Sequence, residues 1–187
     1  MGKIFVYIYN DMADYEITFT CYMLNGNIKH KITPIAYTMN NIKALSGIIY
    51  TPVMTVNEAI EYDNIEGLII PGGKNDEQRP ELTKLINKTY KKGKLTAAIC
   101  AGPMFLAKAG ILEDKKFTTS LSPEYFVEQK KEDPFNWDNF IKQKVIRDGN
   151  IITAPGVSFV DFTAEIMDFY KLFEDEAEKK DFGDTFK

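Results

Sequence analysis

Residues 95–103 read Leu95-Thr96-Ala97-Ala98-Ile99-Cys100-Ala101-Gly102-Pro103, and they carry the clearest structural pattern in the chain. The apolar and β-branched residues up to Cys100 predict a buried strand. The following residues, as far as Ala109, predict a helix that ends at Gly110. A cysteine between such a strand and such a helix, with small residues beside it, is typical of a nucleophile elbow. In this sharp turn the nucleophile projects from the edge of the sheet.

The chemistry of a thiol at this turn makes Cys100 the first candidate catalytic residue. The helix dipole favours the thiolate at a helix N-terminus. The same turn directs the N–H of Ala101 toward an oxyanion that forms at the sulfur. The alternative interpretation is a buried structural cysteine, because free cysteine is among the most buried residue types.

Strands and helices alternate over most of the chain. Lys3–Tyr9 and Glu66–Ile70 predict two further buried strands, each followed by helical spacing. The pattern predicts an α/β fold with a mostly parallel central sheet and helices on both faces. The loops after Tyr9, after Ile70 and at Cys100 should then meet at the carboxyl edge of the sheet. No linker interrupts residues 1–187, so we expect a single domain.

The C-terminal region changes in composition. Ser158–Phe173 predicts an amphipathic helix, whereas residues 174–187 are mostly charged. A charged segment that follows the last apolar helix is expected to be a mobile tail.

Two further positions could complete a site around the thiol. Gly73, in the Pro71-Gly72-Gly73 turn after a strand, could supply a second oxyanion N–H. Glu16, in the helix after the first strand, is a candidate only if the fold directs it at Cys100. The alternatives are an ordinary strand-ending turn and a solvated surface carboxylate.

Other residues give little support for a metal or a classical triad. His30 is the sole histidine, and it lies before a predicted strand, at the opposite end of the sheet from Cys100. We interpret it as a surface residue. Cys21 falls on the packed face of a helix and is interpreted as inert core. One histidine and two distant cysteines predict no metal site, and nothing in the sequence indicates a cofactor.

Composition excludes several classes of function. The formal net charge of -4 gives no electrostatic support for binding nucleic acid. No apolar run approaches the roughly 20 residues that span a bilayer, so no membrane association is expected. The first residues lack a basic leader and a small-residue cleavage site. Two cysteines do not make a disulfide framework, which favours a reducing, cytoplasmic location.

The elbow Ala97-Ala98-Ile99-Cys100-Ala101-Gly102-Pro103 resembles that of the ThiJ/PfpI superfamily, which has the class I glutamine amidotransferase-like fold. The resemblance continues in chain order from about Lys3 to Phe173. Glu16 falls at the position of the family's helix glutamate. Further matches are the strand and glycine turn Leu68–Gly73, the late hairpin Asp148–Thr153 and the loop Pro155-Gly156.

The resemblance implies a flavodoxin-like three-layer sandwich. It also implies that a protonated Glu16 hydrogen-bonds the sulfur of Cys100, and that Gly73 and Ala101 form an oxyanion hole. A homodimer is usual in such families. Catalytic members carry a histidine directly after the cysteine or about twenty residues later. Ala101 and Ser120 occupy those places here, so the triad is incomplete within this chain.

Three functional hypotheses follow from these residues. The first is an enzyme in which Cys100 and Glu16 act on a small-molecule carbonyl or amide, with a 2-oxoaldehyde as the substrate class that the resemblance favours. The second is a non-catalytic redox sensor or stress-response protein that works through oxidation of Cys100. The third is a binding domain in which Cys100 has only a packing role.

Overall fold

The computed structural model describes residues 1–186; Lys187 lies outside the described residues. The strands are β1 Lys3–Tyr7, β2 Lys31–Ala36, β3 Ile42–Lys43, β4 Ile49–Tyr50, β5 Met54–Thr55, β6 Ile65–Ile70, β7 Leu95–Ile99, β8 Ile146–Asp148 and β9 Ile151–Ala154. The helices are α1 Tyr15–Leu24, α2 Val56–Glu61, α3 Pro80–Lys91, α4 Pro103–Lys108, α5 Pro123–Gln129, α6 Phe159–Phe169 and α7 Glu176–Thr185.

The central sheet has the order β5-β2-β1-β6-β7-β9-β8. All neighbours are parallel except β8 and β9, which form an antiparallel hairpin at the place of the late hairpin noted in the sequence. The five strands β2-β1-β6-β7-β9 have the flavodoxin-like order 2-1-3-4-5. The predicted α/β class and mostly parallel sheet are therefore confirmed.

Helices cover both faces of this sheet. Helix α6 packs on β7 and β9 and contacts α1 and α7, whereas α3 packs on β6 and β7 and contacts α2 and α4. Strands buried on both faces need continuous apolar sequence, and β7 is fully buried along its length. Among residues 1–186, no helix is long and apolar enough to cross a membrane.

The carboxyl ends of β1, β6 and β7 meet at one edge of the sheet because these strands are parallel neighbours. The chain leaves β1 toward β2 on one side, and it later adds β6 on the other side. Such a reversal of strand order creates a crevice that commonly binds ligands. The three loops that the sequence assigned to this edge are found there.

The C-terminal segment differs from its prediction as a mobile tail. Most of it forms α7, whose N-cap Asp175 accepts a hydrogen bond from the Glu178 N–H at 2.9 Å. Lys179 bonds Glu165 on α6 at 2.8 Å, and Phe182 packs against the apolar core. The prediction rested on the many charges, and it overlooked that Phe182 can pack against the core.

Candidate active site

Cys100 occupies a strained turn between β7 and α4. Its φ is 63°, in the left-handed region that residues other than glycine seldom adopt. Its N–H donates to the Ala154 carbonyl at 2.8 Å. Its own carbonyl accepts from the Ser120 N–H at 3.0 Å and from Thr119 Oγ1 at 2.6 Å. These bonds hold a conformation that the isolated turn would avoid, as expected for an elbow.

This strain predicts a difference between two variants that both lack the thiol. Cys100→Gly should be more stable than Cys100→Ala by about 1 kcal/mol in the free energy of unfolding, because glycine adopts positive φ without steric cost. It should therefore unfold at a higher denaturant concentration. Urea titration followed by circular dichroism measures the difference. Equal stability, or a more stable alanine variant, would show that the turn is not strained.

Two glycines bring backbone into contact with the thiol. A Cβ at Gly72 would lie 2.5 Å from Cys100 Cβ and 2.8 Å from Cys100 Sγ. A Cβ at Gly156 would lie 3.1 Å from Cys100 Sγ and 2.8 Å from Glu16 Oε1. Only glycine fits these places without displacing the site. The sequence indicates both turns, Pro71-Gly72 and Pro155-Gly156, but this role of the glycines was not predicted. A glycine directly after a proline in each turn was the feature that could have indicated it.

Glu16 is fully buried in the first turn of α1. Its Oε2 accepts the Gly72 N–H at 2.7 Å, whereas Oε1 has no hydrogen-bond partner among residues 1–186. Helix α1 is fixed against α6 by a hydrogen bond between the hydroxyls of Thr20 and Thr163, 2.8 Å apart. The unpaired oxygen of this carboxyl lies on the same side of Gly156 as Cys100 Sγ, because a Cβ at Gly156 would lie 2.8 Å from the oxygen and 3.1 Å from the sulfur. The alternative of a solvated surface carboxylate is wrong.

Burial also changes the acidity of the pair. It raises the pKa of Glu16, although the neighbouring Cys100, Gly72 and Tyr15 act in the opposite direction. Burial, followed by the charge of Glu16, raises the pKa of Cys100 to about 11, whereas Ser120 and the Ala101 N–H lower it. The sequence-based expectation of a lowered thiol pKa is not met. The thiol is largely buried, and α4 begins only at Pro103 and spans six residues, so its dipole is weak.

The raised pKa of Glu16 predicts a pH-dependent stability. Between the usual value of 4.5 and the raised pKa, the folded state binds more protons than the unfolded state. The free energy of unfolding of the wild type should therefore fall as the pH rises through this window. Glu16→Gln lacks the titrating group, so its stability relative to the wild type should increase over the same range. Thermal unfolding from pH 4 to pH 8 measures this, and two parallel curves would contradict it.

The candidate oxyanion groups lie at the same edge. A Cβ at Gly72 would lie 2.8 Å from the backbone nitrogen of Ala101, so the glycine turn packs against that N–H. Gly73 lies opposite Met12 in a short antiparallel bridge. The bridge is made by the N–H of Ala13, which donates to the Gly72 carbonyl, and the N–H of Lys74, which donates to the Asp11 carbonyl, so neither bond uses the Gly73 N–H. Tyr9 donates its hydroxyl to the Pro71 carbonyl at 3.1 Å and supports the turn. The supporting role of this tyrosine was missed in the sequence.

The remaining candidates lie away from this edge. His30 directly precedes β2, and its ring lies 5.9 Å from that of Tyr170, at the amino end of the sheet as predicted. Burial raises the pKa of Cys21 to about 12, which fits the prediction of an inert thiol. Among residues 1–186, no group of three or more His, Cys, Asp or Glu side chains could hold a metal ion.

Comparison with known proteins identifies the family. A model of the DJ-1/PfpI family matches residues 2–169, nearly the whole chain. The chain belongs to the DJ-1/PfpI family. The resemblance inferred from the elbow, the helix glutamate and the glycine turn is thereby confirmed.

Individual relatives show how far the likeness extends. An uncharacterized protein of Methanocaldococcus jannaschii is 31% identical over 133 residues, which cover 69% of this chain and 62% of the relative. The deglycase PfpI of Pyrococcus furiosus is 25% identical over 88% of this chain and 95% of its own. The solved structure of a DJ-1 superfamily protein from Agrobacterium tumefaciens superposes with a TM-score of 0.82 at 23% identity, and each chain is covered completely.

Proposed function

We propose that this protein is a cysteine-dependent enzyme that converts small 2-oxoaldehydes to 2-hydroxy acids. The observation that carries the proposal is the buried carboxyl of Glu16, which has one oxygen held by Gly72 and the other unpaired beside Cys100 Sγ. A carboxyl in this position can move a proton to and from a substrate bound at the sulfur. The name of the deglycase relative supports a carbonyl substrate.

The reactive state of the pair carries a single negative charge. Two adjacent buried charges repel each other, so the carboxyl and the thiol do not ionise together. When the proton lies on Glu16 Oε1, that oxygen can donate to the sulfur and is no longer an unpaired buried acceptor. The thiolate also accepts from the Ala101 N–H, whose hydrogen bond lowers the pKa of Cys100. We therefore assign the proton of the pair to Glu16 in the state that attacks the substrate.

The proposed reaction moves protons and needs no oxidant. The thiolate of Cys100 attacks the aldehyde carbon, and the carbonyl oxygen takes the proton from Glu16, which gives a hemithioacetal. The Glu16 carboxylate then removes the proton on the former aldehyde carbon and returns it to the adjacent carbon. The hydroxyl proton passes to the oxygen on that adjacent carbon as the thioester carbonyl forms, so that this carbon then bears the 2-hydroxyl group. Water hydrolyses the thioester, so the net reaction adds one water to the 2-oxoaldehyde.

The N–H groups of Ala101 and Gly73 are the proposed donors to the oxyanion. They would stabilise the charge on oxygen when the S–C bond forms and again when water attacks the thioester. Amide hydrolysis makes a further demand, because the leaving amine must be protonated by a group such as imidazole. The sole histidine lies at the opposite end of the sheet, so the site favours an aldehyde over an amide.

The redox-sensor hypothesis is the second candidate. Ser120, at the place of the family's later histidine, leaves the site without an imidazole, and oxidation of a thiol does not need one. Both roles use the Cys100 thiolate, and burial acts against both. We place the redox role second because oxidation of the thiol makes no use of Glu16 as a group that moves protons between substrate atoms.

The test is a substrate comparison with product analysis. Methylglyoxal, glutamine and a peptide amide are each incubated with the wild type, and the products are followed by proton nuclear magnetic resonance. We expect lactate from methylglyoxal and no ammonia from the amides. Absence of lactate would reject the enzyme. Ammonia release without lactate would replace the aldehyde with an amide substrate.

A further inference from the structure

Ser120 lies beside the thiol but has no part in the reaction described above. Its backbone N–H donates to the carbonyl of Cys100 at 3.0 Å, and Thr119 Oγ1 donates to the same oxygen at 2.6 Å. Two hydrogen bonds from adjacent residues therefore fix this loop against the elbow. The side chain of Ser120 is held next to the sulfur rather than free in solution.

A third hydrogen bond fixes the direction of the hydroxyl. Ser120 Oγ accepts the Gly156 N–H at 2.9 Å, so one lone pair is used and the O–H remains available to donate. Gly156 itself lies close to the sulfur, because a Cβ there would be 3.1 Å from Cys100 Sγ. The anchoring loop thus brings the hydroxyl and the sulfur together, and the Ser120 side chain lowers the pKa of Cys100.

The two side chains that contact the sulfur differ in burial. Glu16 is fully buried, whereas Ser120 is exposed. A hydroxyl is too weak an acid to exchange its proton in the reaction, but it is a good donor to an anionic sulfur. The sulfur therefore has a proton-transferring group on its buried side and a fixed donor on its solvent side.

We propose that Ser120 donates its hydroxyl hydrogen bond to the sulfur of Cys100 and stabilises the thiolate that attacks the substrate. This role rests on the proposed function. Ser120 would donate a hydrogen bond to the sulfur, as an imidazole could, but it would not act as a base. Removing a hydrogen bond that stabilises the thiolate but not the thiol shifts the thiol–thiolate equilibrium by about tenfold or more. The serine thus supports addition to an aldehyde, which needs an attacking thiolate and no imidazole base.

The test measures the thiol without any substrate turnover. The rate at which iodoacetamide alkylates Cys100 is followed against pH in a Cys21→Ala background, with Ser120→Ala, Ser120→Thr and Ser122→Ala compared. Ser122 lies in the same loop, and its side chain bonds Glu124 instead. We expect Ser120→Ala to react about tenfold more slowly at pH 8, with its profile moved to higher pH. Ser120→Thr and Ser122→Ala should follow the parent.

The outcomes separate this role from the proposed function. An alkylation profile of Ser120→Ala that matches the parent would overturn the role of Ser120, even if the variant turned over methylglyoxal slowly. Equal profiles for Ser120→Thr and Ser120→Ala, both moved to higher pH, would also overturn it, because threonine keeps the hydroxyl. Absence of lactate from the wild type, together with the expected alkylation profiles, would reject the enzyme but leave the hydrogen bond established.

Discussion

Cys100→Ala should abolish the conversion of methylglyoxal to lactate, with a loss in kcat of at least about 10³-fold. The reaction depends on a covalent bond between sulfur and the aldehyde carbon, and alanine has no atom that can form it. The variant keeps the elbow backbone, since φ of 63° is as accessible to alanine as to cysteine. Lactate production under saturating substrate measures the effect.

Cys21→Ala is the matched control for this loss. It removes the other thiol, which is packed against the apolar core and lies away from the carboxyl edge of the sheet. Its rate should equal that of the wild type. Equal losses in the two variants would point to a nonspecific effect of losing a thiol. Full activity in Cys100→Ala would show that Cys100 is not the nucleophile.

Glu16→Gln should lower kcat/KM for methylglyoxal by about 10²- to 10⁴-fold, which is the usual contribution of a positioned acid or base. Glutamine is close in shape, and its amide oxygen can still accept the Gly72 N–H that Glu16 Oε2 accepts at 2.7 Å. It cannot carry the proton between substrate atoms. The loss should therefore appear in turnover, while the folded structure is retained.

Glu124→Gln is the control for the substitution itself. Glu124 lies in the first turn of α5 and is exposed, so this variant makes the same exchange of a carboxyl for an amide without entering the site. Its activity should match the wild type. A Glu16→Gln enzyme with normal kcat/KM would mean that another group transfers the proton, and the mechanism would then be wrong.

The fold followed from the sequence where each strand is continuous in apolar residues. Strands β1, β6 and β7 are nearly fully buried, and their runs of Ile, Val, Leu and Ala leave few alternatives. The C-terminal helix α7 was missed for the opposite reason, because its stabilising contacts are with α6 and depend on tertiary packing.

The candidate site was predictable in part. Cys100 followed from its place between a strand and a helix, and Glu16 needed the family resemblance, because an acid on a helix is exposed in most proteins. Gly72 and Gly156 act by what they lack, a Cβ, and this becomes visible only when the distances to Cys100 and Glu16 are known. The acidity of the thiol was misjudged because the sequence shows the helix but not the depth of burial.

Infrared difference spectroscopy at neutral pH shows whether Glu16 carries the proton on which the mechanism depends. The spectrum of the wild type minus that of Glu16→Gln isolates this one carboxyl in the folded protein. We predict the carbonyl stretch of a protonated carboxylic acid. This band should be altered in Cys100→Ala, because the carboxyl of Glu16 then loses the sulfur as its hydrogen-bond partner. A difference spectrum that contains only carboxylate bands would contradict it, since Glu16 would then be ionised and could not donate to the sulfur.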